Sequence, residues 1–128
     1  MIRRIGRGLL MDLIAEAKQS ARGRKNHNFH PGNDYPAHRL LNAVEPGSYI
    51  TPHRHLDPNK DETMICVAGR MGVLSFDDAG KVVEIITLAP GAETFGVDIP
   101  HGVYHTVLAL ESGTVFVEAK SGPYRPLT

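Results

Sequence analysis

The sequence lacks an excess of charge of either sign, tryptophan, paired cysteines and long apolar runs. Lysine plus arginine equals aspartate plus glutamate at 14 each, so no global electrostatic field favours a nucleic acid or a membrane surface as partner. The single cysteine excludes an internal disulfide and is typical of a reducing compartment. No stretch approaches the roughly 18 uninterrupted apolar residues of a membrane span. We therefore expect a cytoplasmic, soluble protein that binds neither nucleic acid nor membrane.

The amino terminus begins with basic and then apolar residues, as a secretory signal does, but Asp12 and Glu16 interrupt the apolar part. Apolar residues recur at helical spacing from Leu9 to Ala17, which predicts one short amphipathic helix over about residues 8 to 20. We interpret its basic residues as a solvated face, because no aromatic residue is interleaved with them as in many nucleic-acid sites.

From Arg39 onward, short apolar runs are each bounded by glycine, proline or aspartate. Such runs predict an all-β fold of antiparallel strands joined by tight turns, in a sandwich or a barrel. The length of 128 residues corresponds to one compact unit. We divide it into an N-terminal helix and lead-in segment (1–36) and a β domain (37–128), and we expect His27 and His30 in the lead-in to be solvated.

Histidine is the residue type that this sequence has in abundance, with seven in the chain. His53 and His55 share one face if their segment is extended, and Glu62 begins a run whose inward face is otherwise apolar. A carboxylate buried there without a partner would cost several kcal/mol, and a cation would remove that cost. His105 starts another apolar run further along the chain. Together these four side chains predict a metal site.

The neighbouring glycines and proline extend the pattern. It consists of Gly47, His53, His55, Glu62 and Gly69, followed by Pro100, Gly102 and His105. This arrangement resembles the two signature motifs of the cupin superfamily. The resemblance implies a small jelly-roll barrel, a double-stranded β-helix, with one divalent metal held inside by His53, His55, Glu62 and His105. The six residues "LDPNKD" between His55 and Glu62 are more than the family usually has there.

Within the superfamily, the closest resemblance is to WbuC-type cupin metalloproteins, which are associated with bacterial surface-polysaccharide loci. The phrases "RLLNAVEPGSYITPHRH", "GRMGVLSFDDAGKV" and "GVDIPHGVYHTVLALESGTVFVEAKSGPY" carry it, together with the lead-in "RKNHNFH". The resemblance implies a role in polysaccharide metabolism without implying a reaction.

Imidazole nitrogens with one carboxylate suit iron, manganese, nickel, copper or zinc, and spacing does not choose among them. Three functions follow. The first is a metalloenzyme that isomerises or oxygenates a small polar molecule such as a sugar or nucleotide-sugar. The second is a metal-stabilised sugar-binding module without catalysis. The third is a metal-free epimerase with histidine as base and tyrosine as acid, for which Tyr49 and Tyr104 are candidates, and His101 is a further acid or base candidate in either enzyme.

The inward positions and the edges of the strands give three further expectations. Asn42 and Arg39 fall on opposite faces of their strand, and Asn42 is the better candidate to point inward. Cys66 is expected in the core as a small apolar residue. Because a small jelly roll has edge strands to protect, we expect a two-fold homodimer.

Overall fold

The fold is mostly β structure with one helix near the amino terminus. The computed structural model describes residues 1–123, so the last five residues of the predicted β domain lie outside the described part. Within it the elements are α1 (Arg7–Gln19), β1 (Arg24–Asn28), β2 (Ala37–Val44), β3 (Glu62–Ala68), β4 (Met71–Phe76), β5 (Val82–Leu88), β6 (Gly96–Ile99), β7 (Tyr104–Ala109) and β8 (Thr114–Ser121).

The strands form two antiparallel sheets. The larger has the order β1-β2-β8-β3-β6, and the smaller has the order β5-β4-β7. The connection from β2 to β8 skips five strands in the chain, yet the two pair in full register from Ala37 with Ser121 to Val44 with Thr114. The predicted all-β fold with one short N-terminal helix is confirmed.

The main core lies between the two sheets. The larger sheet contributes Met64, Cys66 and Phe116, and the smaller sheet contributes Met71, Val73, Leu88 and Val107, all of them buried. Cys66 is 2% exposed, as expected of a small core residue. Toward Glu62 and toward β1, the inner face of the larger sheet becomes polar.

A second core lies on the outer face of the larger sheet, where α1 packs. Leu13 and Ala17 of the helix are buried against Leu41, Ala43 and Val115. The helix ends at Gln19, and the next backbone N–H, that of Ser20, donates to Glu16 O at 3.0 Å and to Ala17 O at 3.2 Å. The apolar stripe that predicted the helix is thus the surface that attaches it to the sheet.

The lead-in segment differs from expectation, because part of it is a strand. β1 pairs with β2 from Arg24 opposite Val44 to Asn28 opposite Leu40. His30, expected to be solvated, is only 7% exposed. Although its sequence is polar, β1 is a strand. Its backbone completes the hydrogen bonds of β2, which would otherwise be an open sheet edge. The division of the chain at residue 36 stays a prediction, although β1 shares a sheet with the rest.

Candidate metal centre

The first two candidate ligands lie in a loop rather than in a regular strand. His53 forms an isolated antiparallel bridge with His105 of β7. The His53 N–H donates to His105 O at 3.0 Å, and the His105 N–H donates to His53 O at 2.9 Å. The Gly102 N–H also donates to His55 O. These bonds hold the loop against β7 and bring distant parts of the chain together.

Glu62 is the first residue of β3 and is 2% exposed. It pairs with Ile99 of β6 on one side and with Lys120 of β8 on the other. Its carboxylate is therefore anchored in the middle of the larger sheet. This rigid position suits a metal ligand better than a side chain on a free loop would.

The ligand atoms of His53, His55 and Glu62 all lie within 4.8 Å of one another. His55 Nε2 is 2.8 Å from Glu62 Oε1, and His105 Nε2 is 3.5 Å from the same oxygen. Two ligands at about 2.1 Å from one ion and at right angles to each other are about 3.0 Å apart. The separations are therefore compatible with ligation of a single ion, with His105 next to the three-residue group.

Three buried polar atoms at this point have no hydrogen-bond partner among the described residues. They are His55 Nε2, Glu62 Oε1 and His105 Nε2. Their short separations do not have hydrogen-bond geometry, and an unsatisfied buried polar group costs about 1–3 kcal/mol. One cation would satisfy all three atoms, so the residues fit a divalent metal.

Backbone carbonyls orient two of the imidazole rings. His53 Nδ1 lies 3.1 Å from Thr51 O, and His105 Nδ1 lies 2.9 Å from Val103 O. Because a carbonyl only accepts, each Nδ1 carries the proton that it donates. The lone pair of each neutral ring is then on Nε2, which is the arrangement in which histidine commonly binds a metal.

The ionisation of Glu62 and of the neighbouring histidines also favours the binding of a cation. Burial opposes ionisation of Glu62, but the contact with His105 and the charges of Lys120, His105 and His55 outweigh it and lower the pKa of Glu62 to about 2. Burial lowers the pKa of His53 and of His55. Burial likewise acts to lower the pKa of His105, but the neighbouring Glu62 carboxylate and Val103 O raise it. The site thus has an ionised carboxylate beside the His53 and His55 rings, which resist protonation, and the His105 ring, which accepts a proton more readily.

A cavity of about 210 Å³ adjoins the ligands, and we call it the metal cavity. It is lined by His53, Glu62 and His105, by the apolar side chains Val44, Ile50, Met64, Val107 and Phe116, and by Arg24, Asn42, Glu118 and Lys120. The prediction that Asn42 points inward is confirmed, since its Nδ2 donates to Glu118 Oε1 at 3.1 Å. Arg39 lies exposed on the opposite face, with its guanidinium 5.7 Å from the Tyr35 ring.

Sequence reasoning missed three polar residues of the metal cavity: Arg24, Glu118 and Lys120. Glu118 and Lys120 alternate with Phe116 on β8, so an acid and a base at inward positions of an apolar strand were the available signal. Lys120 Nζ lies 3.0 Å from Glu118 Oε2. Arg24 gave no such signal, because its segment did not have the pattern of a strand.

The candidate acid and base residues lie apart from the ligand group. None of Tyr49, His101 and Tyr104 lines the metal cavity. Tyr49 is 73% exposed, and residues 48–52 form no strand. The Tyr104 ring lies beneath the Arg54 guanidinium at 4.2 Å. Their catalytic roles stay predictions.

His101 belongs to a small pair at the surface. Its backbone N–H donates to Asp61 Oδ1 at 2.7 Å, and its Nδ1 lies 2.8 Å from the same oxygen. These two bonds lower the pKa of Asp61. Because Asp61 precedes Glu62, the pair fixes the turn before β7 to the start of β3.

The long segment between His55 and Glu62 forms a closed turn. The Lys60 N–H donates to Asp57 O at 3.0 Å, and the Asn59 N–H donates to Asp57 Oδ1 at 2.9 Å. Lys60 is 8% exposed, and its ammonium donates to Ser121 O and Pro123 O, each at 2.7 Å. The extra residues therefore attach the loop to the end of β8, and Glu62 keeps its place beside the histidines.

Comparison with known proteins gives a family and a fold. A model of the family described as "Domain of unknown function (DUF6016)" matches residues 5–88, a range that includes His53, His55 and Glu62. No curated protein matches the sequence. Within residues 1–123, no helix has the length and apolar character needed to cross a membrane.

Several solved structures resemble the chain. KdgF from Halomonas sp. is 22% identical with a TM-score of 0.60, and the match covers 80% of this chain and 82% of that one. Oxalate oxidase in complex with the substrate analogue glycolate is 16% identical with a TM-score of 0.64, over 85% of this chain and 56% of that one. Oxalate decarboxylase from Bacillus subtilis, with Mn(II) centers, is 18% identical with a TM-score of 0.56, over 80% of this chain and 29% of that one.

The matched structures are cupins, and the two antiparallel sheets of this chain match their fold. The chain therefore belongs to the DUF6016 family and has the cupin fold.

Proposed function

We propose that this protein is a cupin metalloprotein that binds one divalent transition metal through His53, His55, Glu62 and His105. Next to the metal it would act on a small polar molecule, such as a sugar or nucleotide-sugar. The observation that carries the proposal is the convergence of buried, unpartnered ligand atoms at the wall of a cavity. The WbuC resemblance of the sequence supports a role in bacterial surface-polysaccharide metabolism.

The wall of the metal cavity supports a polar ligand. Arg24, Asn42 and Lys120 offer hydrogen-bond donors, and Glu118 is an acceptor when ionised. A hydroxyl-rich molecule can use both kinds of group, whereas an apolar molecule would leave them unpaired at a cost. The cavity volume of about 210 Å³ admits only a small molecule or one end of a larger one.

The metal itself would act as a Lewis acid that polarises a carbonyl or hydroxyl oxygen. The residues of the chain would orient the molecule against it through Asn42 and Arg24, and the apolar side chains between the sheets would restrict water. Oxalate decarboxylase, one of the similar structures, has Mn(II) centers. Manganese is thus one candidate here, together with iron, nickel and zinc.

The experiment that tests metal binding is elemental analysis of the untagged protein. We expect about one transition-metal ion per chain, and a rise in the unfolding temperature when the metal is added to chelator-treated protein. The variant His55→Gln should bind the metal at least about tenfold more weakly. The control His27→Gln removes a histidine that packs on Phe29, away from the cavity, and should bind as the native chain does. Equal metal binding by His55→Gln and the native chain would contradict the proposal.

A second experiment separates an enzyme from a binding module. The metal-loaded protein is incubated with nucleotide-sugars, and the mixture is analysed for products by mass spectrometry and NMR. We expect product that disappears with His55→Gln and with chelation. Saturable binding without any product would instead favour the sugar-binding module.

A further inference from the structure

A second cavity lies on the inner face of the larger sheet, nearer to its β1 edge. Its volume is about 190 Å³, and we call it the asparagine-histidine cavity. It is lined by Asn26, Asn28, His30, Asn33, His38, Leu40 and Lys120. Lys120 also lines the metal cavity, so the two spaces share this residue.

Two buried histidines form one wall of this cavity. The rings of His30 and His38 stack with centroids 3.9 Å apart and planes inclined by 8°. They are only 7% and 3% exposed. Neither histidine belongs to the metal group. Apolar packing does not explain why two imidazoles are buried side by side in a small polar cavity.

Backbone contacts hold both rings in place. His30 Nδ1 lies 3.2 Å from the Arg39 N–H, from which it accepts when its proton is on Nε2, and 3.2 Å from Arg39 O, to which it donates in the other tautomer. His38 Nε2 lies 3.1 Å from Asn33 O and therefore carries the proton that it donates there. Neither hydrogen bond of the His30 ring to the described residues uses Nε2. His30 Nε2 can therefore donate to a ligand in the tautomer that carries its proton there.

The asparagines add amide groups to the same space. Asn26 Nδ2 donates to Asn28 Oδ1 at 2.8 Å, which leaves the amide group of Asn28 as a donor. Asn26 and Asn28 alternate on β1 and face the same side as His38 and Lys120, because the strands pair in register. The cavity wall contains no aspartate or glutamate.

Positive groups lie at and beside this cavity. Lys60 is buried, and its ammonium contacts the carbonyl oxygens of Ser121 and Pro123 rather than a carboxylate among the described residues. Lys120 Nζ lies 3.0 Å from Glu118 Oε2, but Glu118 does not line this cavity. Burial lowers the pKa of His38, and the charges of His30, Lys120 and Lys60 lower it further. Cationic neighbours, several N–H donors and a lining without carboxylates favour an anion over a cation or an apolar group.

We propose that the asparagine-histidine cavity binds a small oxyanion such as a phosphate group. Donors would come from His30 Nε2, the Asn28 amide and the Lys120 ammonium. A phosphate attached to a sugar could sit here while the sugar extends past Lys120 to the metal cavity. This second step rests on the proposed function, whereas binding of the oxyanion itself does not.

The test is an NMR titration of the zinc-loaded full chain, labelled with ¹⁵N in its histidine rings. We add inorganic phosphate in one series and glucose 1-phosphate in another. We expect saturable shifts of the His30 and His38 resonances with inorganic phosphate. Tighter binding of glucose 1-phosphate, with added shifts at His53 and His105, would support the extension into the metal cavity.

Asn28→Asp and Gln19→Glu are the matched variants. The aspartate keeps the acceptor for Asn26 Nδ2 but replaces the amide donor with a negative charge, so phosphate affinity should fall at least about tenfold. Gln19→Glu places the same charge on the exposed end of α1, beyond the outer face of the sheet, and should leave the affinity unchanged within about twofold.

Shifts at His53 and His105 alone would mean that phosphate binds the zinc, and would overturn the oxyanion cavity. Equal phosphate affinity of Asn28→Asp and Gln19→Glu would overturn it as well. Failure of the metal proposal has a different signature, because a chain that takes up no zinc would still show the His30 and His38 shifts.

Discussion

At the scale of single residues, burial and neighbouring charge decide which side chains are ionised inside this protein. Glu62 stays ionised in the interior because cationic neighbours outweigh the cost of burial. His38 behaves in the opposite sense, since burial and nearby positive charges keep its ring neutral. The interior therefore has a negative charge at Glu62, whereas the buried His38 ring resists protonation.

His38 leads to a prediction about pH. Its pKa is lower in the folded chain than the ordinary value of 6.5, so the unfolded chain takes up a proton that the folded ring resists. The stability that His38 contributes is complete above about pH 6.5 and is lost as the pH falls toward the folded pKa. In metal-free protein, acidification from pH 8 to pH 5 should lower the unfolding temperature less in His38→Gln than in the native chain.

The measurement is thermal unfolding of both proteins across that pH range. Glutamine can keep the donor to Asn33 O, and the contributions of His53 and His55 cancel in the comparison. Identical pH profiles would show that His38 does not contribute.

At the scale of secondary-structure elements, the larger sheet is covered differently on its two faces. Its inner face has the main core and the two cavities, and its outer face is covered by α1. The helix contacts β1, β2 and β8. It therefore supports from behind the strands that line the asparagine-histidine cavity.

Leu13 tests this support. It is 3% exposed within the outer core, so Leu13→Ala should lower the free energy of unfolding by about 2–4 kcal/mol through lost burial and a residual cavity. Met11→Ala, two residues away and 68% exposed, should change it by less than about 0.5 kcal/mol. Urea denaturation of both variants measures the difference. Equal effects would mean that α1 is not docked on the sheet.

The strands and the helix were predictable because their signals are local. Leu13 and Ala17 recur at helical spacing, and Glu62, Met64 and Cys66 alternate along one strand face. The sequence therefore predicted the helix, the all-β fold and the approach of His53, His55 and Glu62.

The remaining features depend on pairing between distant segments. Lys120 lies beside Glu62 because β8 pairs with β3, and Arg24 reaches the cavity because β1 pairs with β2. No local pattern encodes either pairing, and the polar composition of β1 gave the opposite indication. The exposed position of Tyr49 was not predictable for a related reason, because residues 48–52 form no strand and alternation holds only along a strand.

At the scale of the whole molecule, the homodimer expected from the sequence stays a prediction, and β5 is the surface that we assign to it. β5 is an outer strand of the smaller sheet, and its Val83 and Ile85 are 58% and 72% exposed. Apolar side chains on an outer strand are a common contact between subunits, because they protect both the side chains and the open edge.

Native mass spectrometry should therefore give twice the chain mass. Ile85→Lys should shift the population to the monomer, since a buried and unpaired charge at an interface is costly. Leu56→Lys changes a side chain of similar exposure in the loop before β3 and should leave the dimer intact. A native chain that is monomeric at micromolar concentration would contradict the prediction.

Lys120 lines both cavities, so a metal bound in one and an oxyanion bound in the other would be thermodynamically linked. A charged ligand in one cavity changes the electrostatic free energy of the Lys120 ammonium, and Lys120 also lines the other cavity. By reciprocity, whatever factor the metal applies to oxyanion affinity, the oxyanion applies to metal affinity. Cellular levels of one ligand would then set how much of the protein is loaded with the other.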